Sequence, residues 1–210
     1  MYYSDCIVTD RLILRRFVDE DVNDIHALMS DRYIAEKAGF KPFDSKAKTK
    51  EFLNNWKMYA YAVTLREDDT VIGVIQTPML YMEDRVEIGY WLSEEYRGKG
   101  YMTEAIDAVK SYMFDNYFWC NEVRILVFEG NEASCNVARK CGFFPMNEEY
   151  KENVYSPYGK VESELTFSCT REDYNWDRNA SPFYSTTTVT SPTPIPISSK
   201  HPHPRAVSLL

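Results

Sequence analysis

The stretch Trp91-Leu92-Ser93-Glu94-Glu95-Tyr96-Arg97-Gly98-Lys99-Gly100-Tyr101-Met102-Thr103-Glu104-Ala105 constrains this chain more than any other. Before it, residues 86–92 alternate as a strand does. After it, Met102, Ala105, Ile106, Val109, Tyr112 and Met113 recur at three- and four-residue spacing, as a helix requires. The backbone must turn from strand to helix through two glycines, which permit a tight path. Such a junction aims free N–H groups and the positive end of a helix dipole at one point, which suits an anion and above all a phosphate. Arg97 and Lys99 would add charge for the same anion. Gly-Lys-Gly alone is equally what a plain solvated turn shows. It is not a P-loop, because Ser93 stands where the first glycine is needed and Gly100 follows Lys99. Nor is it a dinucleotide fingerprint, because Thr103 replaces the third glycine.

Around this junction the periodicity alternates. It predicts strands over residues 7–17, 59–65, 71–75, 86–92, 123–128, 143–148 and 162–170. Helices are predicted over residues 19–30, 47–58 and 133–140, besides the long one after the turn. Asp19, Glu20 and Asp21 fall in a first helical turn, where the dipole favours acids. Hairpins followed by strand–helix–strand units describe an α+β chain built on a mixed sheet.

The pattern stops near Asn175. Six of the ten prolines lie between Pro182 and Pro204, whereas all eight glycines lie between Gly39 and Gly159. Residues 1–175 therefore read as one domain, and residues 176–210 as a disordered Pro/Ser/Thr-rich tail. The first part holds 21 Lys and Arg against 31 Asp and Glu, the second 3 against 1. An acidic domain of this kind argues against direct nucleic-acid binding on a basic face. No apolar run of about 18 residues and no basic or apolar leader is present, so neither a membrane span nor a secretory signal is expected. Cys6, Cys120, Cys135, Cys141 and Cys169 form no C-x-x-C pair and read as reduced thiols of a cytoplasmic protein. Only His26 lies in the patterned region, with His201 and His203 in the tail, so no metal site is expected.

A second motif, Asn131-Glu132-Ala133-Ser134-Cys135-Asn136-Val137-Ala138-Arg139-Lys140-Cys141-Gly142-Phe143, follows the strand at 123–128. Taken with Thr9-Asp10-Arg11-Leu12-Ile13-Leu14-Arg15, Glu87-Ile88-Gly89-Tyr90-Trp91-Leu92 and the glycine turn, it resembles the GNAT acyltransferase superfamily. Within that superfamily the chain is similar to the branch of ribosomal-protein amino-terminal acetyltransferases, over about residues 7–170. The resemblance implies a mostly antiparallel central sheet with helices on both faces and two splayed strands holding acetyl-coenzyme A. The diphosphate would lie on the backbone of Arg97, Gly98, Lys99, Gly100, Tyr101, Met102 and Thr103. The pantetheine arm would run beside Trp91 and Leu92, bonded by Asn131, with Ser134 and Lys140 completing the set. One departure is Glu95, which stands where relatives carry Gln or Arg.

The implied reaction is direct attack of an amine on the thioester. It needs a neutral amine, oxyanion stabilisation and a group that meets the departing sulfur. Many relatives place a tyrosine four residues before the glycine of the Gly-Phe pair, where this chain has Ala138. The amino-terminal branch uses the serine of Asn-x-x-Ser, here Ser134, which would bond or protonate the thiolate. A serine there is also what a helix cap looks like. Glu87 shares a strand face with Gly89 and Trp91 and reads either as the base or as a solvated strand residue. Oxyanion donors would be backbone N–H groups near Leu92. An α-amine costs about 1 kcal/mol to deprotonate at pH 7 and a lysine about 4.6 kcal/mol, so a site without a strong base favours a protein or peptide amino terminus. The alternatives are a small amine (polyamine, amino acid, antibiotic) as acceptor, or a silent module that senses coenzyme A. A monomer or homodimer without metal or membrane partner is expected.

Overall fold

The computed structural model describes residues 6–80, 83–146, 152–155 and 161–180. The chain opens with a hairpin, β1 (Ile7–Val8) and β2 (Leu12–Arg15), rather than the single strand expected over 7–17. The Thr9 side chain and backbone fold back on Leu12, which turns the chain at Asp10 and Arg11. A 3-10 turn at Asp19–Asp21 leads into α1 (Val22–Ser30). Next comes α2 (Arg32–Lys37), which the apolar spacing did not announce. It starts because the Asp31 carboxylate accepts the Ile34 N–H at 2.8 Å, a standard N-cap. α3 (Lys46–Trp56) precedes strands β3 (Ala60–Leu65), β4 (Val71–Gln76), β5 (Met79–Leu80) and β6 (Arg85–Leu92). α4 (Tyr101–Asn116), β7 (Glu122–Phe128) and α5 (Glu132–Lys140) form the crossover region.

The last elements are β8 (Phe144–Pro145), β9 (Glu152–Tyr155), β10 (Val161–Thr170) and α6 (Arg171–Ala180). Of the strand expected over 143–148, residues 144–145 form β8, Met146 N–H still donates to Thr166 O at 2.8 Å, and 147–148 lie outside the described residues. α6 continues through the boundary expected at residue 175. It is anchored by Tyr174 stacked on Phe114, centroids 4.9 Å apart, and by the Arg171 guanidinium donating to the carbonyls of Phe114, Tyr117 and Cys120. Residues 181–210 of the expected tail lie outside the described residues.

The strands form one sheet in the order β1-β2-β3-β4-β6-β7-β10-β8, with β5 beside β6 and β9 beside β10. Among the described residues only β6 and β7 pair in parallel, and their register runs from Arg85↔Glu122 to Ile88↔Ile125. Beyond that point β6 stays with β4, up to Gly73↔Leu92, while β7 stays with β10, up to Phe128↔Glu164. The two strands therefore part company above Ile88 and Ile125. Each face of the sheet has its own core. Val86, Ile88, Tyr90 and Leu92 pack with residues of α4 and α5, whereas Trp91 packs with residues of α1 and α3. No helix among the described residues is long and apolar enough to cross a membrane.

Candidate active site

A cavity of about 290 Å³ lies at the end of β6, past the point where β6 leaves β7. Its walls come from Tyr90, Trp91 and Leu92 at the end of β6, the glycine turn, α5 with its cap Asn131, and α2. Gly98 and Gly100 both lie in the left-handed region, at φ +72° and +82°. A Cβ on Gly98 would meet nothing within 4 Å, and one on Gly100 would meet only Arg11 Nη2 at 3.5 Å. Backbone conformation, not crowding within the protein, thus requires glycine at both positions. No side chain caps α4, and the Glu104 N–H donates to Gly100 O at 3.0 Å in its first turn. The N–H groups of Tyr101, Met102 and Thr103 have no acceptor inside the helix, and all three residues line the cavity.

The turn is held from the far end of the sheet. Glu104 accepts bonds from Thr9 Oγ1 at 2.5 Å, Arg11 N–H at 2.9 Å and Arg11 Nε at 2.6 Å. Arg11 Nη1 then donates to the Lys99 carbonyl at 3.0 Å. Burial opposes the charge on Glu104, but these donors outweigh it and keep the carboxyl below its ordinary pKa. Glu104 therefore does more than favour the first helical turn, because it ties the β1–β2 hairpin to the cradle.

Of the expected cofactor residues, Trp91, Leu92, Arg97, Gly98, Gly100, Tyr101, Met102, Thr103, Asn131 and Lys140 all reach the cavity wall. Lys99 and Ser134 are not on that wall. The Lys99 ammonium lies 5.3 Å from the Tyr96 ring centre. Arg97 is partly engaged already, donating from Nε to Leu92 O at 3.2 Å and lying 4.7 Å over the Tyr33 ring. Glu95 sits exposed in the 3-10 turn Glu94–Tyr96, away from the wall.

Asn131 caps α5, its Oδ1 accepting the Ser134 N–H at 3.3 Å. Ser134 is wholly buried, with Oγ 2.8 Å from the Tyr90 hydroxyl. Burial pushes the Tyr90 phenol well above its usual pKa despite that bond. Glu87 is also buried, at 5% exposure, and burial raises its carboxyl pKa against the lowering effects of Arg85 and Arg124. Its carboxylate accepts a long hydrogen bond, 3.4 Å from Arg85 Nη2. Glu87 shares the Trp91 side of β6 but lies three residues before Tyr90, roughly 10 Å along the strand, and is not on the wall.

The sequence reading missed Tyr33, Ile34 and Lys37, which come to the cavity on α2. The Asp31 cap was the available signal. It also missed Gly73, where a Cβ would sit 2.6 Å from the Trp91 carbonyl oxygen, so only glycine lets β4 approach this end of β6. Cys135 and Cys141 are buried core residues with thiol pKa values raised by burial, as expected of small hydrophobes. His26 is tied to buried Thr49 by a 2.9 Å hydrogen bond between Nδ1 and Oγ1.

Residues 11–144 match the family described as Acetyltransferase (GNAT) domain. Among curated relatives, the chain is 28% identical over 166 residues to the uncharacterized N-acetyltransferase YoaA of Bacillus subtilis, covering 70% of this chain and 93% of that protein. Among solved structures, it is similar to RimL, a ribosomal L7/L12 alpha-N-protein acetyltransferase in complex with coenzyme A. The TM-score there is 0.66 at 19% identity, covering 79% of this chain and 98% of the other. It is equally similar to the spermidine N-acetyltransferase of Vibrio cholerae in complex with coenzyme A and spermine. Here the TM-score is 0.69 at 19% identity, covering 80% and 99%.

Proposed function

Because this chain belongs to the GNAT acetyltransferase family, we propose that it transfers the acetyl group of acetyl-coenzyme A to the amino terminus of a protein or peptide. The observation that carries the donor is the cradle: two left-handed glycines and an uncapped helix open into the gap between splayed β6 and β7. Backbone N–H groups of residues 97–103 would hold the diphosphate, with Lys140 and Arg97 supplying charge nearby. Glu95 points no charge at the cavity wall, so its departure from the usual residue type leaves the cradle itself intact.

Acetyl-coenzyme A, when bound, supplies an activated acetyl thioester. Asn131 and the end of β6 would steer the pantetheine arm into the gap. Past Ile88, the β6 backbone groups that face β7 have no ladder partner, which leaves N–H donors for the oxyanion near Leu92. Glu87, with its raised pKa, is the base of this reading. Buried and off the wall, it would act only through a bridging water, since three strand residues separate it from Tyr90. A base that distant suits an acceptor that is already partly neutral, which is why an α-amine is preferred to a lysine. Five cysteines outside any disulfide suit a reducing compartment, and we place the reaction in the cytoplasm.

The test begins with melting in acetyl-coenzyme A. At 100 times Kd the ligand should add about 2.7 kcal/mol of stability, and no shift would reject the donor. Thiol release is then followed across peptides with free amino termini, polyamines and amino acids. Turnover on peptides supports the reading, turnover on polyamines alone replaces it with the small-amine alternative, and binding without turnover identifies a sensor.

A further inference from the structure

Tyr90 is a residue of the cavity wall whose hydroxyl also meets Ser134 Oγ. It comes from β6, on the face that packs with α4 and α5, at the height where β6 has left β7. We propose that the Tyr90 hydroxyl hydrogen-bonds the thioester sulfur as the carbon–sulfur bond breaks, with Ser134 positioning it from behind. This assignment rests on the acetyl-coenzyme A reading above.

The geometry separates the two hydroxyls. Both side chains are buried, Tyr90 at 1% exposure and Ser134 at 0%, but Tyr90 is a residue of the cavity wall and Ser134 is not. Ser134 is itself fixed, its N–H bonded to Asn131 Oδ1. With Oγ–H of Ser134 donating to Tyr90 Oη across 2.8 Å, the phenolic proton is left over. Its other nearby acceptor is the Ser134 carbonyl at 3.4 Å, a long contact that a sulfur atom would readily replace. Ala138 follows Ser134 by one helical turn on the same face of α5 and shares the core with Tyr90. Its methyl group leaves room for an aromatic ring arriving from the strand.

The electron bookkeeping is simple. The amine nitrogen forms the new bond to the acetyl carbon, and the carbon–sulfur pair goes to sulfur. The thiolate takes its proton from solvent, and the amine proton leaves by way of Glu87. Tyr90 keeps its proton throughout, because burial makes its phenol a far weaker acid than a thiol. Its role is therefore a hydrogen bond that strengthens as negative charge collects on sulfur. Ser134 leaves the same proton in place and orients it.

Calorimetry on the intact protein with coenzyme A and with desulfo-coenzyme A reads this bond without turnover. The wild-type protein should prefer coenzyme A by about tenfold. Tyr90→Phe should erase that preference, and Ser134→Ala should reduce it, with desulfo-coenzyme A bound equally by all three. In turnover, Tyr90→Phe should lower kcat by about tenfold or more with KM for acetyl-coenzyme A unchanged, and adding Ser134→Ala should cost little further. A preference that survives Tyr90→Phe, or an equal loss for both ligands, overturns the assignment. If the wild-type protein binds neither ligand, the coenzyme A reading itself fails.

Discussion

Replacing Glu104 by glutamine and by alanine separates two contributions of one carboxylate. Its Oε1 accepts from Thr9 Oγ1 and Arg11 N–H, and its Oε2 meets Arg11 Nε at 2.6 Å. Glutamine can keep both Oε1 bonds but presents an NH2 group to the guanidinium, so it loses the ion pair. The Arg11 side chain is 46% exposed, and solvent screening holds that loss to about 1 kcal/mol. Alanine also removes the two Oε1 bonds, at about 1 kcal/mol each, for roughly 3 kcal/mol in all.

The pH dependence has a definite sign. The Glu104 carboxyl pKa is lowered in the folded protein, where the Thr9 and Arg11 donors outweigh burial. Its charge-dependent stabilisation is therefore complete above the unfolded value of about 4.3 and is lost as pH falls through the lowered folded value. Urea unfolding should show the wild-type protein ahead of Glu104→Gln at pH 7, with the gap closing below about pH 4. Both variants free Arg11, whose Nη1 steadies the Lys99 carbonyl, so coenzyme A affinity should fall several-fold. Equal stability of the two variants, a gap indifferent to pH, or undiminished affinity would refute the claim that the hairpin holds the cradle.

Gly73→Ala should cost about 1–3 kcal/mol and weaken coenzyme A binding, because its Cβ would lie 2.6 Å from the Trp91 carbonyl oxygen at the cavity edge. Thermal melting checks this, and a wild-type midpoint would show that β4 and β6 have room to spare. A chain ended at Ala180 should melt like the full-length protein. One ended at Thr170 lacks Arg171 and Tyr174, which anchor α6 on the end of α4, and should lose several kcal/mol. Identical melting of both truncations would show that α6 contributes nothing.

Much of this architecture was legible because periodicity is a local property. The β-forming run of residues 86–92 reports a strand, buried on both faces in the fold, and the spacing from Met102 to Met113 reports a helix face without knowledge of what covers it. The glycine pair was legible too, since φ above zero at a strand–helix junction leaves few other residue types. α2 escaped notice because six residues are too few to show a helical stripe, and its one signal is the capping Asp31. The hairpin at Thr9–Leu12 was hidden by β-forming residues on either side of a turn without glycine.

Sequence alone determined which residues carry the chemistry-bearing motifs and that a strand must hand over to a helix through a phosphate-sized turn. It could not decide which of those residues meet at the cavity. Ser134 and Lys99 belong to the motifs but are off the wall, while Tyr33 and Lys37 belong to no motif and stand on it. The reason is that a wall is made by pairing between distant strands. Where β6 leaves β7 depends on β4 and β10 holding them apart, and that registry is a property of the whole sheet.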